Sequence, residues 1–351
     1  MKSIATLLEQ WDGESIVIHP DRPTGAWIVI AIHSTRMGPA TGGTRMKRYP
    51  SLEDAVQDAL NLGEGMSYKF ASIGFPCGGG KAVIALPPTL DAQARPGLLR
   101  RYGALVKQLG GLFQTGPDVG TSPEDMDIIS ETGSPHIFAR TIQSGGAGDS
   151  GAPTAVGVFQ SIKTVCAQLF GSDALEGRRV LVQGAGSVGG RVIEKLREAG
   201  AEVLFSDVDE AAIKRFRDEQ HIAFVAPDQV YDTECDIFSP CALGGILNSE
   251  TIARLRCRAV VGSANNQLAE EADAARLHQR GILYAPDFVV SFGGAMGIYG
   301  QEVLHWTQEQ AHARVAQAID ESLRQVFALA LAEKITPNKA ARRIAEKRLK
   351  G

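Results

Sequence analysis

Two lysines and one aspartate are the residues of this chain whose types and surroundings best suit proton transfer. Lys69 ends the segment Met66-Ser-Tyr-Lys, Lys81 directly follows three glycines, and Asp118 lies in Gly116-Pro-Asp-Val-Gly. Glycines add no side chain, so Lys81 can enter a crevice partly stripped of water, where burial and a neighbouring ammonium would lower its pKa. Such a lysine can act as a general base near neutral pH, so the pattern predicts acid–base catalysis. The plain alternatives are two solvated lysines and an aspartate in a turn or helix cap.

A second motif predicts a site for a dinucleotide. The chain reads Val180-Leu-Val-Gln-Gly-Ala-Gly-Ser-Val-Gly, which is typical of a short buried strand followed by a glycine-rich turn and a helix. Gly184 would make the turn, Gly186 would let the backbone approach a pyrophosphate, and Gly189 would let the helix press on the sheet. The free N–H groups and the positive dipole end of the helix favour phosphates at that point.

An acidic residue ends the next predicted strand. The apolar run Glu202–Ser206 stops at Asp207, about 20 residues beyond the glycine turn, which is the spacing of a ribose-binding acid. A carboxylate there accepts hydrogen bonds from both hydroxyls of an adenosine ribose, which favours NAD over NADP. A structural strand–helix–strand unit without a ligand is the alternative.

The composition of the 351 residues excludes several other classes of protein. The net charge is −4 with both signs interspersed, so no nucleic-acid partner is expected. The longest apolar run near the N-terminus, residues 26–32, is far shorter than the ~20 residues of a membrane span, and Met1-Lys-Ser-Ile does not begin a convincing signal peptide. The lysine after the glycine run is no ATP-binding loop, because Ala82 stands where Ser or Thr is needed.

The five cysteines indicate neither a disulfide framework nor a zinc site. Their number is odd, and they lack the paired spacing of metal ligands. A reducing cytoplasm fits this usage best, and no bound metal is expected. The cysteines are Cys77, Cys166, Cys235, Cys241 and Cys257.

The predicted elements place these motifs on an α/β framework with two domains. An amphipathic helix is predicted from Ser51 to Gly63, and a strand over residues 81–85. The glycine-rich segment from Thr141 to Thr154 is the candidate hinge. Helical periodicity returns over residues 311–351, with a break near Thr336-Pro337. A doubly wound parallel sheet is predicted from strands at residues 180–182, 202–206, 236–239, 259–262 and 282–284.

Eight short segments in chain order form a specific pattern. They are Ile32-His33 with Gly38-Pro-Ala-Thr-Gly-Gly-Thr-Arg45, Met66-Ser-Tyr-Lys69, Gly78-Gly-Gly-Lys81, Asp118-Val-Gly-Thr121, Gly148-Asp-Ser150, Pro240-Cys-Ala-Leu-Gly244, Ala264-Asn-Asn266 and Tyr284-Ala-Pro-Asp287. Together they resemble the Glu/Leu/Phe/Val amino-acid dehydrogenase family, especially its leucine, phenylalanine, valine and tryptophan dehydrogenase branch. The resemblance covers nearly the whole chain.

The resemblance implies a two-domain enzyme. A mixed α/β substrate-binding domain would occupy residues 1–143, with a C-terminal helix at 325–351 packing back on it. A Rossmann-like, doubly wound NAD-binding domain would occupy residues 144–324. A symmetric homo-oligomer is also expected.

The resemblance implies a substrate-binding role for Lys69 and catalytic roles for Lys81 and Asp118. Lys69 holds the substrate carboxylate, Lys81 is the base that acts through water, and Asp118 exchanges protons with the amino group. Further substrate contacts are implied at Thr41, Gly42, Gly43, Met66, Gly116, Asn265, Ala295 and Ile298. NAD contacts are implied at Thr154, Gly184, Gly186, Ser187, Val188, Gly189, Asp207, Cys241, Ala242, Ala264 and Asn265, with Cys241 a lining residue.

The implied reaction is the reversible, NAD-dependent oxidative deamination of an L-amino acid to a 2-oxo acid and ammonia. Glutamate-specific relatives carry a lysine at the position of Thr41, so glutamate is not expected. Leucine-preferring relatives carry larger side chains at Gly116 and Ala295, which predicts a roomier pocket, walled by Ile298, for a bulky or aromatic substrate such as phenylalanine. One methylene in an apolar pocket discriminates by only about 1–3 kcal/mol, so a leucine- or valine-type enzyme is the alternative.

Three residues depart from the family pattern: Ser291, Phe292 and Gly297. Phe292 stands where relatives carry a small residue, so the adjacent loop must rearrange. An atypical substrate is therefore a further alternative.

Two other function classes are alternatives. A dehydrogenase-like protein turned to NAD sensing or biosynthetic condensation is disfavoured by the intact catalytic residues. A hydroxyacid dehydrogenase would need a His or Arg at the reacting carbon. His33 and Arg45 are the candidates, but His33 is better interpreted as a core or strand-end histidine.

Overall fold

The computed structural model describes residues 3–351, which divide into two compact units. Unit 1 contains the described residues up to Asp149, together with Ile298–His305 and Ala345–Gly351. Unit 2 contains Ser150–Gly297 and Trp306–Ile344. The chain first passes from unit 1 to unit 2 within the glycine-rich segment 141–154. The hinge role of that segment and the domain limits at residues 143, 144 and 324 stay predictions.

Unit 1 is built on a five-stranded mixed sheet with the strand order β1-β2-β4-β3-β5. Strands β1, β2 and β4 pair antiparallel, whereas β3 runs parallel to both β4 and β5. The strands are β1 (Ser15–Asp21), β2 (Ala26–Ser34), β3 (Ala40–Arg48), β4 (Gly78–Leu86) and β5 (Phe113–Pro117).

Helices cover both faces of this sheet because its inner strand β2 is apolar on both sides. Ile28 and Ile30 of β2 pack in a cluster with side chains of α3 and α4 helices, and Val29 and Ala31 pack with those of α1 and α2. The helices are α1 (Ile4–Glu9), α2 (Leu52–Ile73), α3 (Arg95–Gln108) and α4 (Pro123–Gly133).

Helix α2 begins as predicted but ends later. The Ser51 side chain caps it by accepting from the N–H of Asp54, yet the predicted end at Gly63 is wrong, because the helix continues to Ile73 and stops at the left-handed Gly74. Gly63 is buried against Ala31 of β2, where a Cβ would lie 3.5 Å from the Ala31 Cβ. Tertiary packing therefore outweighs the low helix propensity of glycine.

Strand β4 includes the three glycines before Lys81, which the sequence placed ahead of the strand. A Cβ at Gly78 would lie 1.9 Å from the carbonyl oxygen of Ser34, and one at Gly79 would lie 2.0 Å from the backbone nitrogen of Ser67 on α2. The glycines thus let a neighbouring strand and helix approach β4 closely.

Unit 2 contains the predicted doubly wound sheet of parallel strands, in the order β11-β10-β9-β6-β7-β8. All five predicted strands are present, and the two-residue edge strand β8 was missed. The chain moves from β6 outward to β7 and then returns to β9 on the other side of β6, which creates a topological switch point. The strands are β6 (Arg179–Gln183), β7 (Glu202–Ser206), β8 (Ala223–Phe224), β9 (Ile237–Pro240), β10 (Ala259–Val260) and β11 (Leu283–Tyr284).

The remaining helices follow in chain order. They are α5 (Gly151–Phe170), α6 (Ser187–Glu198), α7 (Glu210–Ile213), α8 (Ser249–Arg254), α9 (Ala272–Gln279), α10 (Asp287–Val290), α11 (Gly293–Glu302), α12 (Gln308–Glu333) and α13 (Pro337–Lys350). The break between α12 and α13 lies at the predicted Thr336-Pro337. None of the helices within residues 3–351 is long and apolar enough to cross a membrane.

Candidate active site

A buried ion pair joins the two predicted catalytic residues of unit 1. The Lys81 Nζ lies 2.9 Å from Oδ2 of Asp118. Lys81 projects from β4, and Asp118 directly follows β5. Lys81 is only 6% exposed, so the pair is largely withdrawn from water. The structure thus brings together two residues that are 37 positions apart in the chain (118 − 81).

Burial lowers the pKa of Lys81, as the sequence predicted. The largest cause is loss of hydration, and the nearby Arg45 guanidinium also lowers the pKa, whereas the Asp118 and Asp58 carboxylates raise it. The expected neighbouring ammonium is thus replaced by a guanidinium. Because the net pKa still falls, Lys81 can release its proton more readily than an exposed lysine, as a general base must.

The Asp118 carboxylate is held in its ionised form from several sides. Burial raises its pKa, but Lys81, Arg45 and the N–H of Val119 together outweigh burial, and the net pKa lies below its ordinary value. Arg45 Nε donates to the same Oδ2 at 2.9 Å. The Asp118 backbone N–H donates to the Thr121 hydroxyl at 2.9 Å, which fixes the turn after β5.

A second carboxylate holds the other end of Arg45. Nη1 of Arg45 donates to both oxygens of Asp58 on α2, at 3.3 and 3.2 Å. The Tyr49 hydroxyl donates to Asp58 Oδ2 at 2.5 Å, and the Lys47 ammonium lies 3.8 Å from the same oxygen. Opposite charges therefore alternate from Lys81 through Asp118 and Arg45 to Asp58.

Gly43 makes room for Lys81 and Asp118. A Cβ at Gly43 would lie 2.9 Å from the Cβ of Asp118 and 3.3 Å from Lys81 Nζ. Its neighbour Gly42 lies against β4, where a Cβ would come within 1.9 Å of the Gly80 carbonyl oxygen and 3.3 Å of Met66 Cγ. These predicted substrate-contact positions thus lie beside Lys81 and Asp118.

Helix α2 carries two more predicted substrate residues, Met66 and Lys69, both half-buried. Between them, the hydroxyl of Ser67 lies 2.8 Å from Nδ1 of His33, and Nε2 of His33 lies 3.0 Å from Asp12. His33 is therefore a buried structural histidine, as its position at the end of β2 suggested. It ties the strand to the helix that presents Lys69.

The buried Thr41 carries a hydroxyl that the sequence could not explain. It donates to the Pro39 carbonyl at 3.0 Å and also hydrogen-bonds the Cys77 thiol. Burial raises the pKa of Cys77 to about 11, even though hydrogen bonds from Thr41 and Tyr299 lower it. The Thr41 hydroxyl thus has hydrogen-bond partners inside the protein, and Thr41 offers no charge to a substrate.

The predicted extra room at Gly116 is wrong, because another side chain occupies it. A Cβ at Gly116 would lie 2.7 Å from one ring carbon of Phe138 and 3.0 Å from the next. The Phe138 ring packs edge-on against Tyr299, which packs edge-on against Phe75, with centroids 6.1 and 5.6 Å apart. Gly116 therefore seats an aromatic cluster instead of enlarging a pocket.

In unit 2, the three glycines after β6 have the predicted geometry. Gly184 has φ +94°, and a Cβ there would lie 2.7 Å from the Ala242 Cβ. A Cβ at Gly189 would lie 1.8 Å from the Gly184 carbonyl oxygen, so α6 packs tightly on the turn. A Cβ at Gly186 would meet no protein atom within 4 Å. The open space at Gly186, beside the N-terminus of α6, fits a pyrophosphate.

Asp207, at the end of β7, is fixed by backbone N–H groups. Its Oδ2 accepts from Ala185 at 2.5 Å, and its Oδ1 accepts from Val208 at 2.7 Å and Asp209 at 2.9 Å. A carboxylate held in this way beside the glycine turn suits the ribose of a dinucleotide. Val208 is 83% exposed, so it offers an apolar surface next to that carboxylate.

The other predicted cofactor residues follow the carboxyl ends of the neighbouring strands. Cys241 and Ala242 follow β9, and Ala264 and Asn265 follow β10. Ser187 is exposed and Val188 is half-buried at the start of α6. On α5, the Thr154 hydroxyl donates to the Ser150 carbonyl at 2.7 Å, which leaves its oxygen able to accept from a ligand.

The three departures from the family pattern serve packing within unit 2. Phe292 is fully buried, so its ring fills the interior of unit 2. A Cβ at Gly297 would lie 2.4 Å from the Pro153 Cβ, so this proline needs a glycine opposite. Ser291 is buried, and its hydroxyl points to Asn265 Oδ1 at 3.4 Å.

Comparison with known proteins assigns the chain to a family. Residues 23–134 match the family model of the Glu/Leu/Phe/Val dehydrogenase dimerisation domain, and residues 145–210 and 205–351 match that of glutamate/leucine/phenylalanine/valine dehydrogenase. The chain belongs to the Glu/Leu/Phe/Val dehydrogenase family. It is therefore a dinucleotide-dependent amino-acid dehydrogenase, and the hydroxyacid-dehydrogenase, sensing and condensation alternatives are wrong.

Individual relatives of the Glu/Leu/Phe/Val dehydrogenase family cover almost the whole chain. Leucine dehydrogenase of Thermoactinomyces intermedius is 42% identical over 97% of this chain and 92% of its own length. Phenylalanine dehydrogenase of Lysinibacillus sphaericus is 40% identical over 96% of this chain and 89% of its own. The crystal structure of L-tryptophan dehydrogenase from Nostoc punctiforme superposes with a TM-score of 0.86 at 36% identity, covering 99% of this chain and 98% of that one.

Sequence reasoning missed three residues around Lys81 and Asp118 and a fourth beside Gly116. Arg45 was considered only for a different chemistry, and Asp58, Tyr49 and Phe138 were not singled out. Among the residues that the structure describes, no group of three or more His, Cys, Asp or Glu side chains could hold a metal ion.

Proposed function

We propose that this dehydrogenase catalyses the reversible, NAD-dependent oxidative deamination of a bulky apolar or aromatic L-amino acid to its 2-oxo acid and ammonia. The observation that carries the proposal is the buried Lys81 ammonium, 2.9 Å from the Asp118 carboxylate. Deamination needs a base to activate water and an acid–base group for the departing nitrogen, and this pair supplies both.

Lys69 and the backbone at Gly42 and Gly43 would orient the amino acid. An ammonium at Lys69 is suited to the substrate carboxylate, and glycines on β3 allow the substrate close to the strand. With the carboxylate held, the substrate nitrogen is directed to Asp118, whose ionised form favours a positively charged amine.

NAD, when bound, supplies a hydride acceptor at C4 of its nicotinamide ring. Asp118 takes a proton from the substrate ammonium, and loss of hydride from Cα of the neutral amine then leaves an iminium on the substrate. Lys81, in its neutral form, takes a proton from the water that attacks this carbon. Asp118 then exchanges protons with the nitrogen as the carbinolamine collapses to 2-oxo acid and ammonia.

Asp207→Asn should reduce the preference for NAD over NADP. The carboxylate repels the 2′-phosphate of NADP, and the isosteric amide removes that charge. We expect the ratio of kcat/KM for NAD to that for NADP to fall about tenfold, which corresponds to about 1.4 kcal/mol. Asp209→Asn, two residues further and able to cap α7 as the aspartate does, is the matched control. An unchanged ratio in the Asp207 variant would contradict the ribose assignment.

Two features of unit 1 support a bulky or aromatic side chain on the substrate. Thr41 offers no cation for a distal carboxylate. Phe138 is half-buried and belongs to an aromatic cluster with Tyr299 and Phe75, a surface suited to aromatic and large apolar groups. The buried Ile298 of the same unit would add an apolar wall.

Gly116→Ala should destabilise the protein through Phe138. The new methyl would overlap the ring, and such overpacking costs about 1–3 kcal/mol. Adding Phe138→Val to the Gly116→Ala variant should restore thermal stability. As a single substitution, Phe138→Val should shift the preference in kcat/KM from leucine towards tryptophan by about 1–3 kcal/mol. Thermal unfolding and the two kcat/KM values test this. Simple addition of the two stability losses in the double variant would show that the residues do not share one space.

A branched-chain enzyme is the second candidate, favoured by 42% identity to a leucine dehydrogenase. NADH production across a panel of L-amino acids tests both candidates. NADP is assayed in parallel, and the reverse reaction is assayed with ammonia and 2-oxo acids. Highest kcat/KM on phenylalanine or tryptophan supports the proposal, and highest kcat/KM on leucine or valine favours the second candidate. Light scattering of the same preparation tests the proposed homo-oligomer, which a monomer mass would contradict.

A further inference from the structure

We propose that Arg45, anchored by Asp58, is a positioning residue that holds the Asp118 carboxylate against Lys81 and so governs proton transfer in the reaction. The inference rests on the proposed roles of Lys81 and Asp118. Neither Arg45 nor Asp58 needs to touch the substrate, because both act through Asp118.

The geometry leaves Arg45 little freedom. Its Nε is committed to Asp118 Oδ2 at 2.9 Å, and its Nη1 is committed to Asp58 at 3.2 and 3.3 Å. A planar guanidinium held at two edges has a fixed orientation, which a lysine at the same place could not reproduce. Both side chains of the Arg45–Asp58 pair are about four-fifths shielded, at 20% and 23% exposure, so water screens them only in part.

Asp58 is in turn held by a tyrosine hydroxyl. Tyr49 donates its hydroxyl to Asp58, and burial together with Asp58 raises the pKa of this tyrosine above its ordinary value, so it remains a proton donor. The chain of contacts runs from Tyr49 on the β3–α2 turn, through Asp58 on α2 and Arg45 on β3, to Asp118 after β5. The position of the Asp118 carboxylate therefore depends on contacts that begin at the β3–α2 turn and continue through α2 and β3.

Lys81 and Arg45 meet at Oδ2 of Asp118, and Arg45 and Asp58 have opposite effects on Lys81. Asp118 Oδ2 receives both cations at 2.9 Å. Arg45 lowers the pKa of Lys81, and Asp58 raises it. The charged groups around the pair are Arg45 and Lys47 from β3, Asp58 from α2 and Asp118 itself, with Lys69 further along α2.

These signs give opposite shifts in the pH profile. Oxidative deamination needs neutral Lys81, so its rate rises with pH through the pKa of that lysine. Arg45→Gln removes a charge that lowers this pKa, so the rising limb should move to higher pH. Asp58→Asn removes a charge that raises it, so the limb should move to lower pH. We expect each shift to be about half a pH unit, since a partly screened charge acts less than one in contact.

Both substitutions should also reduce kcat through misplacement of Asp118. We expect a loss of roughly tenfold to a hundredfold, the scale of an ångström-sized error in a reacting group, with the dinucleotide Kd unchanged. Glu64→Gln, which removes a carboxylate from the same helix outside this network, is the matched control and should leave the profile in place. Tyr49→Phe removes one hydroxyl only, so it is the milder variant if Asp58→Asn fails to fold, and it should lower kcat severalfold.

The test is the pH profile of kcat for the full-length wild type and these variants, with the substrate that the wild type uses best. Opposite shifts for Arg45→Gln and Asp58→Asn, with a smaller effect of Asp58→Asn in the Arg45→Gln background, support the proposal. The proposal would be overturned if Arg45→Gln and Asp58→Asn reduced thermal stability without displacing the rising limb of the pH profile. A Tyr49→Phe enzyme with wild-type kcat would also overturn it. An inactive wild type, or an active Lys81→Ala variant, would instead count against the proposed function.

Discussion

Lys81→Ala should reduce kcat for oxidative deamination by about a thousandfold, within the range that a positioned acid–base group contributes. The variant loses the only group proposed to activate water. Asp118 should stay in place, because Arg45 Nε still donates to it at 2.9 Å. We therefore expect the variant to fold and to bind NADH with a Kd within about twofold of the wild type.

The measurement is kcat by NADH absorbance together with Kd by NADH fluorescence. Lys107→Ala, which removes an exposed lysine from α3 of the same unit, is the control and should behave as the wild type. Retention of more than about a tenth of the wild-type kcat would contradict the assignment of Lys81 as base. Loss of NADH binding would show that the substitution acts by another route.

Gly186→Ala and Gly189→Ala should both abolish tight dinucleotide binding, but for different reasons. At Gly186 a methyl meets no protein atom within 4 Å, so it would fill only the space proposed for the pyrophosphate. At Gly189 it would lie 1.8 Å from the Gly184 carbonyl oxygen, so α6 must move off the turn. Gly186→Ala should therefore keep the wild-type thermal stability, whereas Gly189→Ala should lose about 1–3 kcal/mol or more.

For both variants we expect the Kd for NADH to rise about tenfold to a hundredfold, as overpacking of this size implies. Thermal unfolding and fluorescence titration on the same samples separate the two causes. Wild-type affinity in a stable Gly186→Ala protein would contradict the proposed place of the pyrophosphate.

Much of unit 2 could be predicted because its strands are short, continuous apolar runs. Val180, Leu181 and Val182 are fully buried in the centre of the sheet, and runs of this kind between turn residues have few other interpretations. The missed strand β8 has only two residues, Ala223 and Phe224, and lies at the sheet edge. Its pairing with β7 depends on tertiary contacts that no local pattern reveals.

Lys81 and Asp118 could be proposed as catalytic residues from sequence because glycines mark places of close approach. The residues that surround this pair could not be predicted from sequence, with one exception. Asp58 and Lys69 are eleven residues apart on α2, about three helical turns, so the spacing alone places them on one face. The packing of the Phe138 ring against Gly116 joins residues from separate segments of unit 1, and no periodicity encodes such a contact.

The central claim is that hydride leaves Cα of an amino acid for the nicotinamide while the nitrogen departs as ammonia. Its most direct test uses the best amino acid of the panel with deuterium at Cα, incubated with NAD and the wild-type protein. We expect NADH that carries one deuterium at C4, formed in equal amount with ammonia and 2-oxo acid. Deuterium released to the solvent, or NADH formed without ammonia, would contradict it.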